Sequence, residues 1–160
     1  MTEQTKHTIS VLVENHAGVL SKVSGLFSRR GFNIDSLAVG VTEDPKVSRI
    51  TIVVNGDDYI VEQVEKQLNK VIPVIKVKAL REGEYVSREL SLIKVTANAQ
   101  KRAEIMKTAE VMQARIADVR ENSLTLEFTD TAERTTQLEA LLKPYGILEI
   151  ARTGIIAMEK

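Results

Sequence analysis

The feature that most constrains the fold is a hydrophobic period that changes in a fixed order along the chain. Apolar and polar residues alternate over Thr8–Val13, and apolar residues then recur at helical spacing from Val19 to Phe27. The first half predicts strand, helix, strand, strand, helix and strand, at residues 8–13, 19–27, 36–41, 49–54, 60–68 and 75–79. The short loop at Glu43–Lys46 indicates an antiparallel hairpin. This β-α-β-β-α-β order is typical of a ferredoxin-like layer.

The second half repeats this order without residue-level identity to the first. It predicts strands at 90–97, 116–119 and 124–128, a helix lined by Ile105, Met106, Ala109 and Met112, another lined by Leu138, Leu141 and Leu142, and a closing segment at 147–158. The polar stretch Arg81–Glu84 is a candidate linker. We therefore predict an α+β protein of two ferredoxin-like βαββαβ domains. Each would leave a bare sheet face and edge strands, so we expect another subunit to cover them.

Charge and composition argue against several partners. Lys plus Arg and Asp plus Glu number 22 each, so no net positive charge attracts nucleic acid or anionic lipid. Cysteine is absent, which excludes disulfides and thiolate chemistry and fits a reducing compartment. The first ten residues lack a signal-peptide pattern, and no apolar run approaches the ~20 residues of a membrane span. We expect a cytoplasmic protein.

The chain also lacks the residue patterns of catalysis. Its two histidines, His7 and His16, stand apart, with no cysteine and no helical pairing to complete a metal site. Ser10 and Ser21 lie near His16 in sequence, but neither sits in a nucleophile elbow. The patterns GxGxxG and GxxxxGK[ST] are missing, so no nucleotide cradle is recognisable. We expect no catalytic residue and no bound metal.

The stretch Asn15–Leu20 is the candidate binding site. It joins the first strand to the first helix, and the N–H groups at a helix N-terminus carry partial positive charge. Gly18 would allow a small carboxylate to approach that backbone closely. A purely structural interpretation stays open on the same residues, with Asn15 closing the turn and Gly18 adopting a left-handed conformation.

These residues resemble a known family. Asn15–Leu20, followed by Phe27–Leu37, is similar to the ACT domain of the acetolactate synthase small subunit. Further motifs continue the resemblance over nearly the whole chain: Asp44-Pro45, Ser48–Ile52, Glu65–Lys70, Arg88–Leu90 and Arg152–Gly154. The resemblance implies an ACT effector domain at 1–80, a linker at 81–87 and a C-terminal ferredoxin-like domain at 88–160. Many relatives have proline where this chain has Ala17, and longer members extend beyond Lys160.

The function that the resemblance implies is regulatory. Such a subunit is not an enzyme: it activates the catalytic large subunit of acetolactate synthase and confers feedback inhibition by valine or another branched-chain amino acid. Cofactors are then expected in the large subunit, namely thiamine diphosphate, magnesium and FAD, and none in this chain. The resemblance also implies a homodimer formed through ACT domains.

The effector-binding residues that carry over by resemblance lie in the turn and in the following strand: Asn15, Ala17, Gly18, Val19, Leu20, Asn33 and Gly40. Backbone amides near Gly18 would receive the effector carboxylate, and amide oxygens of Asn15 or Asn33 would accept from its ammonium group. In ACT dimers, Asn33 can face the turn of a neighbouring subunit.

Three other functions compete with this interpretation. An RNA-recognition domain shares this order of elements but needs aromatic residues for base stacking, and Ser10–Val13 and Ile50–Val54 contain none. An acylphosphatase-like enzyme would need an arginine in the first loop, and Glu14–Gly18 contains none. An ACT regulator of a different metabolic enzyme or transcription system is disfavoured less strongly, although no helix-turn-helix segment is visible.

Overall fold

The structure is a computed structural model that describes residues 5–160. Residues 1–4, the start of the segment expected to lack a signal pattern, lie outside this range. The described chain forms two compact units: one comprises the residues up to Val86 together with Ile155–Lys160, and the other comprises Ser87–Gly154.

The first unit has the predicted β-α-β-β-α-β order. Its strands are β1 (Thr5–Glu14), β2 (Ile34–Val41), β3 (Val47–Gly56) and β4 (Val74–Ala79), and its helices are α1 (Val19–Arg30) and α2 (Asp58–Asn69). The antiparallel sheet has the order β2-β3-β1-β4. One face of this sheet packs against the helices in a core that includes Ile9, Val11, Ile52, Phe27 and Leu68.

The second unit repeats this architecture. Its elements are β5 (Tyr85–Thr96), α3 (Ala99–Met112), β6 (Arg115–Val119), β7 (Ser123–Asp130), α4 (Ala132–Leu142) and β8 (Ile147–Arg152). The first two residues of β5, Tyr85 and Val86, still belong to the first unit. The strands follow the equivalent order β6-β7-β5-β8. Ile93, Leu126, Phe128, Ile105 and Leu138 are part of its separate core. The prediction of two ferredoxin-like α+β layers is confirmed.

Helix ends agree with the turn chemistry of the sequence. Gly31 ends α1 with a positive φ of 69°, which glycine adopts without a steric penalty. The Asp57 side chain accepts a hydrogen bond from the Ile60 backbone N–H and so begins α2. Asn98 and Thr131 do the same for α3 and α4.

Strand β4 departs from the predicted alternation. Ile75 was expected on the core face with Val77 and Ala79, but its side chain is 55% exposed. The pairing of β1 with β4 shifts register between Leu12 and Val13, so that Ile75 becomes an extra residue and Val74 packs on the core instead. A bulge of this kind reverses side-chain direction and leaves no period-two signal.

Some predicted core positions are also exposed. They are Val39 and Val41 at the end of the edge strand β2, and Met106 and Leu141 on the helices of the second unit. Strand β2 contributes Leu37 to the core, and Val39 pairs with the core residue Ile50. Because β2 is the edge strand of this sheet, the side chains of Val39 and Val41 remain open to solvent. For the helices, the apolar stripe of the sequence is wider than the face that is buried.

The other face of the first sheet is not bare. The segment Ile155–Lys160 belongs to this unit and includes a further strand, β9 (Ile156–Glu159). The Ile155 backbone N–H donates to the Ser36 hydroxyl at 3.0 Å, and Lys78 pairs with Glu159 at 2.6 Å. Thr8, Ser10, Thr51 and Val53 on this face are buried. The chain itself therefore covers part of the face that was expected to be bare.

Candidate functional site

The turn between β1 and α1 is held against the loop between β2 and β3. The Asn15 backbone N–H donates to the Lys46 carbonyl at 2.8 Å, and its side-chain Nδ2 donates to the Pro45 carbonyl at 2.9 Å. The side-chain Nδ2 of Asn15 thus forms a hydrogen bond within the protein. Its Oδ1 is the side-chain atom that could accept from the ammonium group of a ligand. Sequence reasoning missed the Pro45–Lys46 anchor because backbone carbonyl acceptors leave no side-chain signature.

Gly18 begins α1 in a left-handed conformation, with φ of 87°. A glycine cannot cap a helix with its side chain, and no other side chain caps α1, whereas α2, α3 and α4 each have one. The first turn of α1 also contains no acidic residue. The N–H groups at its start therefore have no capping side chain, and a carboxylate from outside the chain could accept from them.

The space beside Gly18 is open. An atom placed at the Cβ position would meet no heavy atom within 4 Å. A side chain there would consequently project into open space rather than into the protein.

His16 lies in this turn and is exposed to solvent. Its ring nitrogens contact the Ala17 carbonyl oxygen at 3.2 Å and the Glu14 carboxylate at 2.9 Å. The Ala17 carbonyl first, and then the Glu14 carboxylate, raise the pKa of His16 above its usual value. These contacts connect Glu14 with Ala17 through the His16 ring.

Val19 and Leu20 differ in what they can offer a ligand. Val19 is buried in the core of the first unit, so that only its backbone N–H faces the turn. The Leu20 side chain is 43% exposed and could contact an aliphatic group.

Gly40 lies at the same end of the sheet as the turn. Ser48 in β3 pairs with Val13 on one side and with Val41 on the other, so the ends of β1 and β2 lie in one row. Gly40 is one residue before Val41, and it is exposed.

Asn33 lies at the opposite end of the sheet. It precedes Ile34, whose partner Val54 in turn pairs with His7 near the start of β1. Gly40 pairs with Arg49 in β3, five residues from Val54 along that strand. At about 3.3 Å per residue, the two ends of the sheet are roughly 16 Å apart. Within one protomer Asn33 is therefore remote from the turn, and it can join the site only if a second subunit supplies it.

Among residues 5–160 no group of three or more His, Cys, Asp or Glu side chains could hold a metal ion. No helix in the same residues combines the length and the apolar character needed to cross a membrane.

Comparison with known proteins covers both units. Residues 9–76 match the family model described as the AHAS small subunit-like ACT domain, and residues 88–160 match the model of the small subunit of acetolactate synthase. The chain is 52% identical to the acetolactate synthase small subunit of Mycolicibacterium smegmatis, over 96% of this chain and 91% of the relative. It is 54% identical to the probable acetolactate synthase small subunit of Archaeoglobus fulgidus, over 96% of both chains.

A solved structure agrees. The crystal structure of the acetolactate synthase small subunit from Thermotoga maritima matches with a TM-score of 0.88 and 40% identity, covering 98% of both chains. Because these matches extend over the whole length of both units, the chain belongs to the family of acetolactate synthase small subunits.

Proposed function

We propose that this chain is the regulatory subunit of acetolactate synthase, which activates the catalytic large subunit and confers feedback inhibition by a branched-chain amino acid, with valine as the first candidate. Membership of the family over nearly the whole chain supports the choice of partner. Thiamine diphosphate, magnesium and FAD would reside in the large subunit.

The effector half of this proposal rests on the uncapped start of α1. At Gly18 the helix N–H groups are open, no acidic side chain competes for them, and the adjoining space is empty. An amino-acid carboxylate would accept from these groups, while the Asn15 oxygen would receive the ammonium and Leu20 would contact the side chain. Ala17, Val19 and Gly40 would complete the surroundings through backbone at the same end of the sheet.

We place the effector domain at residues 1–80, a linker at 81–87 and a C-terminal domain at 88–160. The separate cores of the two units support this division. The compact units differ from these bounds in two places: β5 begins at Tyr85, inside the linker, and Ile155–Lys160 joins the first unit.

Reconstitution with the large subunit tests the regulatory role. The purified chain alone should form no acetolactate from pyruvate. Added to the large subunit with its cofactors, it should raise the rate of acetolactate formation, and valine should lower that rate only when this chain is present. Acetolactate formed by the homogeneous chain, or a large subunit that does not respond to it, would contradict the proposal.

We also predict that the chain forms a dimer. The remoteness of Asn33 from Gly18 in one protomer means that a site containing both needs two subunits, which an interface with two-fold symmetry would provide twice. Light scattering with valine present should give the mass of a dimer or of a larger even-numbered assembly. A monomer at all working concentrations would exclude an inter-subunit site, and leucine in place of valine controls for effector identity.

A further inference from the structure

A cavity of about 260 Å³ lies on the face of the first sheet that the helices do not cover. It is lined by residues from β1, β3 and β4, by one residue directly after β4, and by two residues of the segment that returns after the second unit: Ser10, Leu12, Arg49, Lys76, Lys78, Leu80, Met158 and Glu159. All of them belong to the first unit. Ser10 and Leu12 alternate with the core residues Ile9, Val11 and Val13, which places this cavity on the sheet face away from the helices.

The cavity carries an excess of positive charge. Three cationic side chains line it, and Glu159 is the one carboxylate among the lining residues. Glu159 lies 2.6 Å from Lys78 and neutralises that cation. Arg49 and Lys76 are then the two positive groups that form no ion pair with a carboxylate of the lining.

Strand register places these two groups on either side of one residue. Leu12 in β1 pairs with Arg49 in β3 and with Lys76 in β4, so their backbones are two strand spacings apart, or about 9–10 Å. The Arg49 guanidinium is held by a hydrogen bond that it donates to the buried Ser10 hydroxyl at 2.6 Å. A small anion between the two cations would satisfy both and relieve their mutual repulsion.

The rest of the lining is apolar. Leu12, Leu80 and Met158 contribute side chains beside the cationic groups. A site with a few charged groups and an apolar wall is typical of small organic ligands rather than of hydrated inorganic ions.

We propose that this cavity is a second ligand site, which binds a small organic dianion through Arg49 and Lys76 with its apolar part against Leu12, Leu80 and Met158. The shared chemistry is two negative charges on a compact apolar body, as in a phosphate monoester or a dicarboxylate. The site lies on the other face of the sheet from the helices and does not include the turn at Gly18, so it is separate from the amino-acid site.

Calorimetry on the full chain tests the site with three probes at pH 8. Phenyl phosphate and phenylsuccinate represent the two sources of an organic dianion, and inorganic phosphate lacks the apolar part. We expect saturable binding of at least one organic dianion, and weaker binding of inorganic phosphate. The tighter of the two organic probes identifies the anion class. Absence of saturable binding by both, or inorganic phosphate binding as tightly as they do, would overturn the proposal.

A charge-removing variant locates the site. Lys76 is exposed, so Lys76→Gln should fold and weaken binding of the organic dianion about tenfold, the lower end for loss of a hydrogen bond to a charged group. Lys70→Gln removes the same charge from the exposed end of α2 and should leave affinity unchanged. Equal losses in both variants would show non-specific attraction, and loss of valine binding in Lys76→Gln would show that the sites are not separate. These measurements need no large subunit, so their outcome is independent of the reconstitution test.

Discussion

Replacing Gly18 with Asp should abolish feedback inhibition while leaving activation of the large subunit intact. The new side chain would enter the open space beside Gly18, and its carboxylate would stand at the positive end of α1, where the effector carboxylate is expected. Loss of one charge-assisted hydrogen bond costs about 1.5 to 3 kcal/mol, which corresponds to about 10- to 150-fold in affinity. Like-charge repulsion adds to this loss.

Gly18→Asn is the matched control. Asn has nearly the same size as Asp, carries no charge, and tolerates the positive φ of this position comparably well. Calorimetry with valine should show a much larger loss of affinity for Asp than for Asn, so that the difference reports the charge. The reconstituted Asp complex should be active and valine-resistant. Unchanged valine affinity in a folded Asp variant would move the effector site away from this turn.

Replacing Phe128 with Ala should destabilise the second unit by about 3–5 kcal/mol, the usual cost of truncating a buried aromatic residue. Phe128 lies on the central strand β7 and is 1% exposed within the core of this unit. Truncation to Ala destabilises the unit because the packing contacts of the ring are lost and a cavity remains in the core. Hydrogen exchange of peptides from residues 87–154 is the appropriate measurement, because a chain with two cores need not unfold in one step.

Leu148→Ala is the control for Phe128→Ala. Leu148 is 59% exposed in the same unit, so its truncation should change the free energy of unfolding by no more than about 0.5 kcal/mol. Comparable destabilisation by the two variants would mean that Phe128 is not a core residue in solution. Peptides from the first unit should exchange their amide hydrogens about as slowly as in the unsubstituted chain, because Phe128 is not part of the first core.

The element order was predictable because it rests on local periodicity. Alternation in β1, helical spacing in α1 and the short loop before β3 each act over a few residues, and the structure has all three. The turn at Gly18 was predictable for the same reason, since a helix start after a strand is a local event. Confirmation of the family by both matched domains shows that the motifs around the turn also carried specific information.

Other features were decided by contacts between distant residues. The bulge that turns Ile75 outward depends on the pairing of β4 with β1, and the sequence of β4 by itself still reads as a regular strand. The attachment of Asn15 to the Pro45 carbonyl joins residues thirty positions apart. Neither the alternation of a strand nor the composition of a loop reports such a pairing.

The sequence by itself determined the two β-α-β-β-α-β layers, the absence of catalytic motifs and the turn where an effector carboxylate could bind, because hydrophobic period and residue type act locally. Only the tertiary structure decided that Ile155–Lys160 returns to the first sheet, that Asn33 lies at the far end of that sheet from Gly18, and that Arg49 and Lys76 flank one cavity. The physical reason is that strand register, and the return of Ile155–Lys160 to the first unit, bring together residues far apart in sequence. The contacts between such residues stabilise the fold, and no local sequence pattern encodes them.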